Sequence, residues 1–243
     1  MTDRLASIRT PWTDIVLAQQ GDPAVRAKCL EELAKKYYEP IRAYIGVWSQ
    51  ARQASDVDDM TQDFFHRFLE KNMLDMLDRS QGTLRGFLLV TVRRFVLDEM
   101  RRGSRSNPNS PLTRHNSLQY SETVVDDTAP SPEDALNYQW AEDLMADIFA
   151  AFKAECQDHG KKHYYLVAEQ QLLRPENFSF PTYADTAASL GISEKDVSNY
   201  LHRSRNILKD LTRRMVRHTV DSDDRVEKEM ADLQRYYRPQ HHG

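Results

Sequence analysis

Cysteine, glycine and long apolar runs are scarce in this chain, and each shortage closes off a class of structure. Cys29 and Cys156 are the only cysteines and stand far apart, which excludes a disulfide scaffold, a zinc ribbon and a redox pair. Both read as core thiols. Eight glycines in 243 residues, with few long β-branched runs, argue against a strand-rich fold. No apolar run approaches the roughly 18 residues that span a bilayer, and no basic-then-apolar leader opens the chain. The expectation is a soluble, cytoplasmic protein without a membrane partner. A glycine-rich phosphate loop and a nucleophile elbow are both missing, so no enzyme activity and no cofactor are expected. His159 and His163 stand four apart, but Gly160 interrupts them and no third ligand follows, so no metal site is read there. The terminal His241-His242 reads as a disordered end.

Charge is plentiful and uneven. Charged residues make up 29% of the chain, with 33 Lys and Arg against 37 Asp and Glu, for a net charge of −4. From Asn116 to Asp147 there are eight acids and no Lys or Arg. From Lys195 to Arg217 there are seven basic residues against Asp196 and Asp210. From Arg93 to Arg105 there are five arginines against Asp98 and Glu99. An acidic chain with two basic patches is compatible with nucleic-acid contact at those patches.

Hydrophobic periodicity divides the chain. Up to about Arg102 the spacing is helical, as in Leu30, Leu33, Tyr37 and Ile41, with a kink or break expected near Pro40. Ser104 to Pro132 loses that period and carries four prolines, the pattern of an extended linker that cannot bury enough apolar surface to order itself. Helical spacing resumes at Ser131-Pro132-Glu133, with Ser131 as a cap, and Trp140, Leu144, Ile148 and Phe152 form one stripe. A helix from about His163 to Leu173 follows, and a later one runs to about His218. The tail after Asp221 reads as a solvated extension with a loose helix around Val226 to Tyr236; regulation of access to the preceding domain is the second reading.

Residues 182–197 have the pattern of a DNA-binding helix-turn-helix. Ala187 is small where two helices cross, Gly191 suits a turn of positive φ, and Ser193 stands at an N-cap. Ile192, Val197 and Leu201 seat the second helix on the first. That helix then presents Lys195, Ser198, Asn199, His202, Arg203 and Arg205, a mixture suited to base edges and phosphates. Further along, Lys209, Arg213, Arg214 and Arg217 extend the basic run toward phosphate contact. An ordinary helical hairpin with a glycine turn is the plain alternative.

A second stretch carries Asp56, Asp58, Asp59 and Asp63 on a helix whose apolar stripe is Met60, Phe64 and Phe68. Capping acids above a core stripe would explain it in isolation. The next segment, Leu84 to Arg102, sets apolar residues on one side and arginine on the other.

Here the chain resembles a known family. Asp58-Asp59-Met60-Thr61-Gln62-Asp63-Phe64-Phe65 is similar to the Asp-Leu-x-Gln-Glu-x-Phe polymerase-binding signature of sigma region two. Leu84 to Arg102 resembles the promoter-melting part of that region, and Tyr183 to Arg205 resembles sigma region four. From about Trp12 to Thr219 the chain is therefore similar to bacterial RNA polymerase sigma factors of the extracytoplasmic-function class, nearest to planctomycete-type members. Phe87, Arg94 and Tyr200 depart from the family's usual Trp, Asn and Arg, which bears on which promoter is read.

The resemblance implies an all-α chain of two small helical domains, an N-terminal bundle over 12–103 and a helix-turn-helix domain over 133–220. A flexible acidic linker, 104–132, joins them, and a charged tail, 221–243, follows. It implies that Asp58, Asp59, Gln62, Asp63 and Phe65 dock on core RNA polymerase, their acids opposite basic residues. It implies promoter DNA at Arg85, Arg93, Arg94, Arg101 and Arg102 and at the second helix of the helix-turn-helix. An anti-sigma factor or other regulator is a further implied partner. A stand-alone helix-turn-helix regulator is the competing reading, and it leaves Asp58 to Phe65 unexplained.

Overall fold

The computed structural model describes residues 15, 18–19, 23–49, 54–77, 82–106, 130–158, 160–173, 179–220 and 222–237. Among the described residues there are eight α-helices and no strand, so the chain is all-helical there. The helices are α1 (Pro23–Trp48), α2 (Ala54–Glu70), α3 (Leu84–Ser106), α4 (Pro132–Asp158), α5 (Lys162–Gln171), α6 (Tyr183–Leu190), α7 (Glu194–Thr219) and α8 (Asp223–Tyr236). None of them is long and apolar enough to cross a membrane. Most of the expected linker, 107–129, lies outside the described residues; its first residues, 104–106, continue α3 as helix.

Contacts divide the chain into two compact units, Met1–Trp140 with Thr219–Asp221 and Ala141–His218 with Ser222–Gly243. The division falls inside α4, between Trp140 and Ala141. The first turns of α4 go with the first unit because their side chains are used there: Asn137 and Trp140 are buried, and Glu133 accepts from the Tyr44 hydroxyl at 3.4 Å.

In the first unit α1 packs on α2 and α3. Cys29, Leu33, Tyr37, Ile41, Tyr44 and Ile45 recur at helical spacing and are buried. Of the kink or break expected near Pro40, the break does not occur: α1 runs through it, and Pro40 is itself buried. A mid-helix proline removes one hydrogen bond, but buried Tyr37 and Ile41 on either side hold both turns against the bundle. On α2, Met60, Phe64 and Phe68 are buried, as their spacing requires. Phe64 meets Phe95 of α3 edge-on at 5.6 Å, and Phe68 meets Phe87 at 6.4 Å. Phe87 is thus half-buried against the core. Arg67 then ties the two helices at their surface, donating to Glu99 at 2.5 Å with its guanidinium 4.7 Å from the Phe95 ring.

A 3-10 turn, Met73–Met76, follows α2 from Asn72, whose φ of 48° asparagine tolerates better than most residues. Gln19 braces it by donating to the carbonyls of Leu74 and Leu77, and Arg26 pairs with Asp75 at 2.8 Å.

In the second unit Leu144, Ile148, Phe152 and Cys156 of α4 are buried. Val167, Ala187, Val197 and Leu201 form a core shared by α5, α6 and α7. The tail forms the helix expected around Val226 to Tyr236 but differs in its packing. Helix α8 buries Val226, Glu229 and Leu233, and Tyr237 meets Phe149 edge-on at 6.3 Å, so this segment is packed rather than solvated. Val226, Met230, Leu233 and Tyr237 fall four, three and four apart, one face of a helix, which suffices to anchor the segment.

Candidate functional site

The helix–turn–helix is built from two reciprocal caps and one glycine. Thr182 accepts from the Asp185 amide at 3.1 Å, while Asp185 accepts from the Thr182 amide at 3.1 Å. Ser193 and Asp196 repeat this arrangement at the start of α7, with distances of 3.1 and 3.3 Å. Each box satisfies helix-end amides that have no partner within the helix. The same donors hold the Asp185 and Asp196 carboxyls below the usual aspartate range: the capping hydroxyl first, then the backbone amide. Between the helices Gly191 takes φ 64° and ψ 37°, which a side chain would strain. Ala187, 7% exposed, sits where the helices meet. Gly191, Ser193 and Ala187 are where their residue types predict them; the Thr182 cap, equally legible as Thr-x-x-Asp, is not among the expectations above.

Helix α7 therefore starts at a defined point, which decides what it presents. Lys195, Ser198, Asn199, His202, Arg203 and Arg205 are all exposed, while Val197, Leu201 and Ser204 are buried. At 3.6 residues per turn, Lys195, Asn199, His202, Asn206, Lys209, Arg213 and Arg217 share one face, with Ser198 and Arg205 along one edge. Asn206 joins that face without being expected from sequence; it stands four beyond His202 and approaches that ring at 3.3 Å. Arg203 lies along the opposite edge. It donates to the Tyr164 hydroxyl at 2.6 Å, beside a Tyr164–Tyr200 ring contact of 5.0 Å. Its charge is exposed but its guanidinium is positioned by α5.

On α2, Asp59, Gln62 and Asp63 are exposed along one face. Asp58 is half-buried and accepts from Arg42 Nε at 2.5 Å, so this acid is committed to α1. That bond is also the main cause raising the Arg42 pKa. Phe65 is half-buried, stacked 6.1 Å from Tyr38 with rings 12° apart.

On α3 the expected arginines separate into two kinds. Arg93, Arg94, Arg101 and Arg102 are exposed. Asp98 pairs with Arg101 at 3.4 Å and Glu99 with Arg102 at 3.0 Å. Arg85 does not belong with them. It is 6% exposed, donates to Asn137 Oδ1 and lies 4.3 Å from the Trp140 ring centroid, so it cannot meet a phosphate. The sequence does carry the reason: Arg85, Leu88, Val92 and Phe95 share one helical period, which makes Arg85 part of the buried stripe.

Among the described residues no three His, Cys, Asp or Glu come together to hold a metal ion, and His159 lies outside them. No protein-family model, curated protein or solved structure matches this chain.

Proposed function

We propose that this chain is an alternative sigma factor, a cytoplasmic protein that binds core RNA polymerase and directs it to promoters. On this reading two helical domains on a flexible acidic tether divide the task. The domain containing α1 to α3 docks on polymerase through Asp59, Gln62 and Asp63, beside Phe65. Its Arg93, Arg94, Arg101 and Arg102 approach the opened promoter, while the α7 face from Lys195 to Asn206 reads the upstream element. Tethering makes the second contact intramolecular on the enzyme, so free protein binds DNA weakly.

The observation that carries this reading is the outward acidic face of α2. Asp56 lies in the first turn, where the helix dipole favours an acid. Asp59 and Asp63 continue beyond it, where the dipole has faded and burial does not involve them. Fold stability accounts for Met60, Phe64 and Phe68, but not for that exposed pair. A stand-alone DNA-binding regulator would use the α7 face and leave the α2 acids without a role.

The test is co-elution with core RNA polymerase on a sizing column, using wild type and the Asp59→Lys/Asp63→Lys variant. Both positions are exposed, so the variant should keep its helicity. Co-elution of wild type alone supports the sigma reading. Absence of wild-type co-elution, with specific DNA binding by the free protein, supports the stand-alone regulator.

A further inference from the structure

The basic run of α7 is not as free as its sequence suggests. Arg213 pairs with Glu227 at 2.7 Å, Arg217 with Asp223 at 2.5 Å, and Arg214 with Glu155 at 3.2 Å. Two of the three acids come from α8. Arg213 and Arg217 belong to the same face of α7 as Lys195, Asn199 and Asn206, so α8 holds carboxylates against the far end of the face assigned above to DNA.

Ordinary helix chemistry explains only part of this. Asp223 begins α8, where a carboxylate suits the helix dipole. Glu227 lies a turn later, outside that benefit, and still meets Arg213. Burial does not require either acid: their side chains are 87% and 68% exposed. Buried Val226 and Leu233 already anchor α8. The two carboxylates thus occupy arginine positions without being needed to seat the helix. Exposed ion pairs of this kind are weak and screened by salt, so a denser array of phosphates can displace them.

We propose that α8 is a built-in competitor for DNA, its Asp223 and Glu227 standing in for two backbone phosphates on Arg217 and Arg213. Non-target DNA, which gains little beyond phosphate contacts, is disfavoured while α8 holds these arginines. A polyanion that also engages Lys195 and Asn199 displaces the acids. The proposal rests on the DNA-binding reading of α7.

The test uses the full chain and a labelled duplex of arbitrary sequence, with affinity read by fluorescence anisotropy across a salt series. Wild type is compared with Asp223→Asn/Glu227→Gln, and with that variant carrying Arg213→Gln/Arg217→Gln as well. The Asn/Gln variant should bind several-fold tighter at low salt. Its plot of log affinity against log salt should steepen by roughly 2, at about 0.9 for each additional phosphate neutralised. Adding the two arginine substitutions should return the slope to the wild-type value. An unchanged affinity and slope in the Asn/Gln variant, with binding still weakened by Lys195→Ala/Asn199→Ala, overturns the competitor and leaves the DNA reading intact. No binding by any of these proteins at low salt overturns both.

Discussion

The guanidinium of Arg85 lies 4.3 Å from the centroid of the Trp140 ring, and the same group donates to Asn137 one turn earlier on that helix. Arg85 and Trp140 are 6% and 2% exposed. An arginine on the same helix as Arg93, Arg94, Arg101 and Arg102 is here a packing residue, its planar cation covered by an indole face and its N–H group satisfied by an amide oxygen.

Arg85→Ala should therefore act on stability. A desolvated cation–π contact contributes about 2 kcal/mol. An orphaned buried amide adds about 1–3 kcal/mol. The urea midpoint should fall, and Arg85→Lys should not restore it, because an ammonium lacks the planar fork. The check is denaturation followed by tryptophan fluorescence. A variant with wild-type stability and reduced DNA affinity would contradict this assignment.

The two capping boxes should give the helix–turn–helix a dependence on acid. Asp185 and Asp196 have folded pKa values below the ordinary aspartate value of 3.8. A depressed carboxyl pKa contributes stability above the unfolded value, and that contribution is lost as pH falls through the folded value. Melting temperature should thus decline below about pH 4, and Asp196→Asn should decline less steeply over the same interval. Parallel declines for wild type and variant would remove Asp196 from the account.

Cys156 should be silent toward thiol reagents in the folded protein. Burial raises its pKa from 9.0 to about 11, with Glu155 nearby acting in the same direction. A raised folded pKa means that this contribution to stability is complete below the unfolded value and is lost as pH rises through the folded one. Between about pH 9 and 11 wild type should lose stability, and Cys156→Ala should lose less. Labelling at about pH 8 should proceed only as fast as the second unit opens. Rapid labelling of Cys156 in native protein would show that it is not sealed.

Some of the fold and site is readable because it depends on neighbours along the chain. The Gly191 turn, the Ser193 cap and the Val197–Leu201 seating follow from backbone conformation and helical period. So do Phe64 and Phe68 facing inward and Asp59, Gln62 and Asp63 facing out. The break that Pro40 suggests is absent: its local backbone cost is visible in the sequence, whereas the packing of Tyr37 and Ile41 around it is not. Arg85 misleads because its residue type suggests phosphate contact, against its place in the period with Leu88 and Val92.

The sequence by itself determined the helices among the described residues, the turn before α7 and the polar face that α7 presents, since periodicity and capping are local. Only the tertiary structure decided which charges on such faces have protein partners. Asp58 pairs with Arg42, Arg203 meets Tyr164, and Arg213 and Arg217 meet acids of α8. The physical reason is range: a helix period constrains residues three or four apart, whereas charge pairing depends on which helices the buried stripes bring together.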